Sequence, residues 1–183
     1  MRARRLLVAS LACLGCLLGA ARADAAENVK RVGVAGGFAG VAGSEGDFSG
    51  YGGAVMGSYS LTDAWALSAN VTATSNKIVA NGGRSHVVSE AIGFDYSLDV
   101  IQIVPYFGVY GALYEFGGGG AKSQVRVGMQ LALGLDYILT REWIVGIDLR
   151  AHALPEDFVR TPENPPPFYA TTFVKVQYAW GWF

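Results

Sequence analysis

Two short stretches of this 183-residue chain carry residue types that could do acid–base or nucleophilic chemistry. Residues 85–90 read Ser-His-Val-Val-Ser-Glu, and His152 follows Asp148 by four residues. A nucleophile must lie within hydrogen-bond reach of its base, but in an extended strand His86 and Ser89 would point to opposite faces. We therefore predict no catalytic residue and no enzymatic activity, with both histidines as ordinary residues of a strand rim.

A second group of polar side chains alternates with apolar residues and carries both signs of charge. Its members are Arg126, Gln130, Asp136, Asp148, Arg150 and Lys175, with Asp95 and Gln177 as further candidates. Charges removed from water must be paired, because an unpaired buried ion is very unfavourable. We predict a satisfied structural network in which Asp148 lies near Lys175 and is the counter-charge of Arg150, Lys175 or Arg126. A gated or proton-conducting role for the same residues is the alternative.

Strands must position these side chains. Over residues 124–137, every odd position is apolar or aromatic, while the even positions are small or polar. Such unbroken period-two alternation predicts a strand, since a helix would scatter the apolar residues around its circumference. The pattern resumes over residues 143–151 after Leu139-Thr140-Arg141, so the two segments predict a hairpin.

Six further segments have a similar character, although residues 103–116 are apolar or aromatic on both faces. We predict eight strands, at residues 29–42, 50–60, 64–74, 85–98, 103–116, 124–137, 143–151 and 168–182. The connections at 61–63, 99–102 and 138–141 are short, whereas those at 43–49, 75–84, 117–123 and 154–167 are longer. Short turns at one end and long loops at the other are typical of outer-membrane barrels.

The N-terminus has the features of a secretory signal. Three arginines in the first five residues precede an apolar run over 6–18, and Ala21-Arg22-Ala23 forms a small-x-small cleavage site. The run is shorter than the roughly 20 residues that a spanning helix needs. We predict cleavage after residue 23, with 25/26 as the alternative, which leaves 24–183 as the mature domain.

Charge and cysteine content exclude several functions. Removing residues 1–23 takes away four of the 14 basic residues and none of the 15 acids, which leaves a net charge near −5. An acidic domain is a poor nucleic-acid binder. Cys13 and Cys16 are the only cysteines and lie in the removed segment. We predict no disulfide, no metal site and no cofactor.

The composition favours a membrane protein built from strands. Hydrophobic residues make up 51% of the chain and glycines number 25, yet no long apolar run follows residue 23. Period-two alternation lets such a chain present one apolar face to lipid. We therefore predict an all-β fold, an eight-stranded antiparallel up-and-down transmembrane β-barrel.

Aromatic residues cluster near the predicted strand ends, as interfacial girdles do. Those near the short turns are Tyr59, Trp65, Tyr96, Tyr137, Trp143, Trp180 and Trp182, and those near the longer loops are Phe48, Tyr51, Tyr114, Phe116, Phe168 and Tyr169. Glu90 shares the parity of lipid-facing Ile92 and Phe94. It must therefore lie above the hydrocarbon or follow a bulge.

Several motifs resemble the small outer-membrane barrel families, namely the opacity-type proteins and the outer-membrane-protein A and W type barrels. The motifs are residues 59–67 around the first short turn, 104–108, 134–137 and the C-terminal Phe183. Such barrels end on an aromatic strand that the barrel-assembly machinery reads. Stepping back by twos from Phe183 gives Gly181, Ala179, Gln177 and Lys175, which departs from their apolar pattern.

These features predict a monomeric structural or interaction protein of the bacterial outer membrane. Both termini would lie in the periplasm and the four loops outside the cell, with outer-membrane lipids and lipopolysaccharide as partners. The proline-rich segment 154–167 is the candidate contact surface. A narrow channel for small or apolar solutes is the first alternative, and a lipid A-modifying enzyme is the second.

Overall fold

The computed structural model describes residues 28–41, 48–78, 84–98, 102–118, 121–154 and 168–181. Within these ranges the chain forms eight β-strands: β1 Lys30–Val41, β2 Phe48–Ser60, β3 Trp65–Ile78, β4 Arg84–Ser97, β5 Ile103–Gly118, β6 Ala121–Ile138, β7 Trp143–Ala153 and β8 Phe168–Trp180. The predicted signal segment 1–23, most of the loops, Trp182 and Phe183 lie outside the described residues. No helix in the described part of the chain is long and apolar enough to cross a membrane.

The strands close into one barrel. Each strand pairs antiparallel with its sequence neighbours, and β1 also pairs with β8. Partner-to-partner tracing from Lys30 around all eight strands ends at Gly40, ten residues further along β1. A stagger of ten in eight strands corresponds to a strand tilt of about 40° and a radius of about 8 Å. The predicted eight-stranded antiparallel barrel is confirmed.

The two ends of the barrel differ. At the turn end lie residues 61–64, 98–102 and 139–142, which connect β2 to β3, β4 to β5 and β6 to β7. The other end, the loop end, has connections at 42–47, 79–83, 119–120 and 154–167. The prediction of a long third loop was wrong, because the ladder continues to the pair Gly118 and Ala121. A Gly-Gly sequence between two strands is a hairpin signal, which the predicted loop at 117–123 did not use.

The first and third turns repeat one motif, Leu-Thr-x-x-Trp, at residues 61–65 and 139–143. In each, the threonine Oγ1 accepts a hydrogen bond from the tryptophan backbone N–H, at 3.0 Å for Thr62 and 3.1 Å for Thr140. Such side-chain to backbone bonds stabilise tight turns. The motif thus sets the start of β3 and β7 and places both tryptophans at the same end of the barrel.

Period-two alternation separates two faces along every strand. On β6 the outward positions from Val125 to Tyr137 are large and exposed, whereas Gly128, Gln130, Ala132 and Asp136 face inward and are buried. The same separation holds on β3, β7 and β8, where the predicted faces match the buried and exposed residues. An outward apolar face is what lipid requires of a barrel.

An aromatic girdle surrounds the turn end. Trp65 packs on Tyr96 at 5.0 Å between ring centroids, and Tyr96 on Phe107 at 5.5 Å. On the other side of the barrel, Trp143 packs on Tyr178 at 5.3 Å. These outward rings mark one boundary of the apolar surface.

The predicted girdle at the loop end needs correction. Tyr51 and Phe168 face outward and are exposed, but Tyr114, Phe116 and Tyr169 have inward parity and lie in the barrel interior. The reason is that β5 carries aromatic residues on both faces, so that composition alone does not show which ones face lipid. Phe48 and Trp182 have no described side chain.

Glu90 follows neither of its two predicted explanations. It faces outward and is half-buried, and β4 pairs with both neighbours without a register shift. Six residues separate it from Tyr96, which corresponds to about 15 Å along the barrel axis. It therefore lies on the outer wall within the height of an apolar band of about 25 Å.

Regular alternation ends at Gly181. Its backbone has φ +97°, and an added Cβ would meet the carbonyl oxygen of Asn28 at 2.9 Å. Only glycine adopts this conformation readily. The alternation of β8 therefore cannot be extended through Gly181 to Phe183. The last outward-facing residues of β8 are Tyr178 and Trp180.

Candidate functional site

The barrel interior holds the polar residues predicted as a network, and it is filled in layers. Nearest the loop end is an aromatic plug, formed by Tyr114, His152, Tyr169 and Leu154. The imidazole of His152 stacks on the Tyr169 ring, with centroids 3.9 Å apart and planes 4° apart. Tyr114, His152 and Leu154 are completely buried. At this level the described side chains of the plug pack against one another across the barrel interior.

Hydrogen bonds orient the rings of the plug. The hydroxyl of Tyr114 donates to the Met129 carbonyl at 3.2 Å and lies 3.1 Å from His152 Nδ1. Nε2 of His152 lies 3.2 Å from the Thr171 hydroxyl oxygen. Both ring nitrogens have partners, and His152 is not the rim residue that the sequence predicted.

The middle layer is an ionic cluster centred on Arg150. Its Nη2 donates to Asp148 Oδ2 at 2.7 Å and its Nε to the same oxygen at 3.0 Å. Its Nη1 donates to Gln130 Oε1 at 3.3 Å, and the guanidinium lies 5.3 Å from the Tyr110 ring centroid. A guanidinium with two bonds to one carboxylate is a strong, oriented contact. All of these side chains are buried.

A second ion pair lies nearer the turn end. Lys175 Nζ is 2.8 Å from Asp136 Oδ1 and donates to Oδ2 at 3.1 Å. It also lies 4.0 Å from the Tyr106 ring centroid. Of the three cations predicted as partners of Asp148, Arg150 on the same strand binds it, whereas Lys175 pairs with Asp136.

Glycine explains how Lys175 reaches two strands across. Gly146 on β7 is the direct partner of both Lys175 on β8 and Asp136 on β6. A Cβ on Gly146 would meet Asp136 Oδ1, the Leu135 carbonyl and Lys175 Cε. The missing side chain thus opens the space in which the two charges meet.

The remaining candidate residues lie apart from these pairs. Arg126 stands towards the loop end, where its Nη2 donates to Gln124 Oε1 at 2.9 Å. Asp95 accepts hydrogen bonds from the hydroxyls of Ser68 and Tyr110. The structure thus brings four of the six network residues into two ion pairs, joins Gln130 to one of them, and places Arg126 beside Gln124 towards the loop end.

The turn half of the interior contains a small polar cavity of about 30 Å³. Five buried polar atoms without a protein partner among the described residues all line it: Arg31 Nε, Asn70 Nδ2, Tyr106 Oη, Asp136 Oδ1 and Gln177 Oε1. For Asp136 Oδ1 the nearby ammonium supplies charge without a well-aligned bond. The cavity volume suits ordered water, which is the usual partner of such atoms.

Neither stretch singled out for enzyme chemistry forms a reactive pair. His86 is exposed on the outer wall and Ser89 is buried inside, on opposite faces of β4. His152 bonds to Tyr114 and Thr171, while Asp148 is occupied by Arg150. Among the described residues, no group of three or more His, Cys, Asp or Glu side chains is arranged to hold a metal ion.

Sequence reasoning missed the tyrosines of the interior. Tyr106, Tyr110 and Tyr114 recur at every fourth residue of β5 and contact, in order, Lys175, Arg150 and His152. Their common parity was visible in the sequence. The sequence alone did not show that this face of β5 points inward. That assignment needs the pairing of β5 with β6, in which Gly134 is the partner of Tyr106.

A closed, lipid-faced barrel of eight strands with a filled polar interior defines a small bacterial outer-membrane β-barrel protein. The family model described as "Outer membrane protein beta-barrel domain" matches residues 9–174, and the chain belongs to this family. A comparison with curated protein sequences gave no significant match.

Solved structures with the same fold include three bacterial proteins. Neisserial surface protein A (NspA) is similar with a TM-score of 0.66 and 18% identity, over 83% of this chain and 99% of that chain. The N-terminal β-barrel domain of Pseudomonas aeruginosa OprF has a TM-score of 0.56 and 15% identity, over 84% and 98%. Ail, the attachment invasion locus protein of Yersinia pestis, has 0.56 and 11%, over 84% and 99%. At these identities the likeness shows the fold.

Double-mutant cycles test which charges are paired. Asp136→Ala should lower the free energy of unfolding by about 3–5 kcal/mol, because it leaves the Lys175 ammonium buried without a counter-charge. Adding Lys175→Met should restore part of that loss. Urea unfolding in lipid vesicles measures the free energy of unfolding of each variant, from which the coupling energy between the two residues follows. The Asp148/Lys175 cycle is the control and should be additive within about 0.5 kcal/mol. A larger coupling for Asp148 than for Asp136 would contradict the observed pairing.

Gly146→Ala tests the space that the Asp136–Lys175 pair uses. The new methyl group would push against Asp136 and the Leu135 carbonyl, so we expect a loss of about 1–3 kcal/mol. Gly111→Ala is the matched control, since an added Cβ there meets nothing within 4 Å. It should leave stability unchanged or raise it by up to about 1 kcal/mol. Equal effects of the two changes in urea unfolding would refute the role of Gly146.

Proposed function

We propose that this outer-membrane barrel is a sealed, monomeric structural or interaction protein rather than a channel or an enzyme. The observation that carries the proposal is the filled interior. From the aromatic plug to Arg150, the inward side chains are buried and bonded to one another. A protein whose interior is closed in this way meets its partners through its outer wall and loops.

The channel alternative is favoured by one observation, the polar cavity of the turn half. That cavity is bounded towards the loop end by Tyr110 and Arg150, beyond which the plug fills the barrel. Water could enter such a cavity without crossing the membrane. We therefore assign the cavity to hydration of the ionic network.

The absence of an enzyme site is proposed on geometric grounds. A hydrolase would need a nucleophile and a base facing one another, and the hydroxyls nearest His152 belong to Tyr114 and Thr171. Both are buried inside the plug. A lipid on the outer wall would not reach them.

The proposed topology follows the rules for bacterial outer-membrane barrels. Short turns lie on the periplasmic side and longer loops outside, so the turn end, with both chain ends, is assigned to the periplasm. Residues 1–23 act as the cleaved signal, and the C-terminal aromatic strand is offered to the barrel-assembly machinery. Two of the similar structures are titled a surface protein and an attachment invasion locus protein, in keeping with a contact role for the loops and for segment 154–167.

Planar-bilayer recordings test whether the barrel is sealed. The wild-type protein should give no discrete openings, because the plug leaves no continuous aqueous path. His152→Ala combined with Tyr169→Ala removes the stacked pair and is the variant expected to leak. Phe168→Ala, on the outer wall, is the control. Wild-type openings that are abolished by Ala66→Trp, which fills the turn-half cavity, would instead establish the channel function.

Single-cysteine labelling tests the topology. The mature chain, once cleaved, has no native thiol, so Gln124→Cys at the loop end and Arg141→Cys at the turn end are unambiguous reporters. A membrane-impermeant maleimide should label Gln124→Cys on intact cells and Arg141→Cys only after the outer membrane is opened. The reverse pattern would invert the barrel and refute the proposed orientation.

A further inference from the structure

The outer wall carries a pocket at the loop end that the sealed-barrel function does not use. Its volume is about 280 Å³. Its outward-facing lining comprises Phe38, Ser49, Tyr51, Ser75, Lys77 and Arg84. We name it the basic pocket after its two cations. It combines two charges, three hydroxyl groups and two aromatic rings.

The two cations lie directly opposite each other. Lys77 on β3 is the cross-strand partner of Arg84 on β4. Like charges in this arrangement are destabilising, since their Cβ atoms are only about 5 Å apart. The next outward pair is Ser75 and His86, and segment 79–83 contains no acid in its sequence. Within the described residues, the wall around this pair offers no acid as counter-charge.

The position of the cations relative to the membrane follows from the strand geometry. Lys77 is twelve residues from the girdle residue Trp65 on the same strand. At a tilt of about 40° this separation is about 30 Å along the barrel axis. The apolar band of such barrels is about 25 Å tall. Lys77 and Arg84 therefore stand just beyond the hydrocarbon, at the level of lipid headgroups.

An apolar surface leads down from the basic pocket. Phe38 and Tyr51 are paired across β1 and β2 and are 76% and 62% exposed. Directly below them, Gly36 pairs with Gly53, and an added Cβ on Gly36 would have its nearest neighbour at 3.8 Å. The wall is therefore recessed beneath two projecting rings. A hydrocarbon chain fits along such a strip.

From this arrangement we infer that the basic pocket binds a phosphorylated glycolipid of the outer leaflet. Lys77 and Arg84 would hold a phosphate group, whose charge removes their mutual repulsion. The hydroxyls of Ser49, Ser75 and Tyr51 face the sugar, and an acyl chain follows Phe38 to the Gly36–Gly53 strip. The assignment to the outer leaflet rests on the proposed orientation of the loop end, whereas the binding chemistry does not.

Binding is tested with diphosphoryl lipid A added to phosphatidylcholine nanodiscs that hold the full mature protein, with native mass spectrometry as readout. Lys77→Gln with Arg84→Gln should weaken binding about 30-fold, roughly fivefold per cation. Lys77→Arg should retain it. Arg141→Gln, an exposed cation at the turn end, is the control and should bind like the wild type. Equal binding by wild type and the double variant would overturn the proposal.

Further arms identify the source of the phosphate and the role of the strip. Inorganic phosphate should not compete with lipid A, and phosphatidylglycerol should bind more weakly than lipid A. Competition by inorganic phosphate, or binding of phosphatidylglycerol as tight as that of lipid A, would overturn the glycolipid assignment. Gly36→Leu fills the strip without touching a cation and should weaken binding severalfold, so that the proposal does not depend on one variant. Glu45→Gln with Asp47→Asn should leave binding intact, and a loss equal to that of the double cation variant would overturn the assigned contacts.

The test is independent of the topology experiment. Nanodiscs expose both faces of the bilayer, so lipid A reaches the basic pocket whichever way the protein is inserted in cells. Reversed cysteine labelling with retained binding would refute the orientation alone. Correct labelling without a difference between the wild type and the cation variant would refute the basic pocket alone.

Discussion

The narrow bore of an eight-stranded barrel with a stagger of ten governs the rest of the structure. At a radius of about 8 Å to the backbone, the inward side chains meet at the axis. They must fill most of the space, with ordered water in what remains, and pair the charges that the strands place there. Among the described residues, Asp148 with Arg150 and Asp136 with Lys175 are pairs that meet this condition. The outer wall is much less constrained in sequence, since lipid accepts almost any apolar side chain.

Glycine is the counterpart of the large inward residues. Gly134 lies against the Tyr106 ring, Gly128 against Tyr114, and Gly108 against Tyr110, and in each case a Cβ would collide with the ring. Each tyrosine thus occupies space left by a glycine on its own or an adjacent strand. Gly146 does the same for an ion pair. These four glycines therefore serve as the gaps into which the interior packs.

The division between predictable and unpredictable features follows from this packing. Strand number, order and facing depend on alternation along one strand, which the sequence displays directly, and residues 124–137 and 143–151 were placed correctly. The partner of Lys175 depends on three strands at once. Neighbouring strands bring Lys175 close to Asp148, but the gap at Gly146 lets the long lysine side chain pass over β7 to Asp136. The inward tyrosines of β5 were missed for the same reason. Which face of β5 points inward depends on its pairing with β6, and the sequence of β5 alone does not show this.

The fold therefore separates two kinds of surface with different freedom to acquire function. Interior residues are constrained by their neighbours, as in the bonding of His152 to Tyr114 and Thr171, so that a change at one position disturbs several. Outer-wall residues beyond the hydrocarbon have few such ties. Lys77 and Arg84 are two like charges that face each other there without an acidic partner among the described residues. Closure of the barrel does not require them. Because directly opposed like charges destabilise a sheet, a bound phosphate would make this arrangement favourable, and at headgroup height a lipid can supply that phosphate.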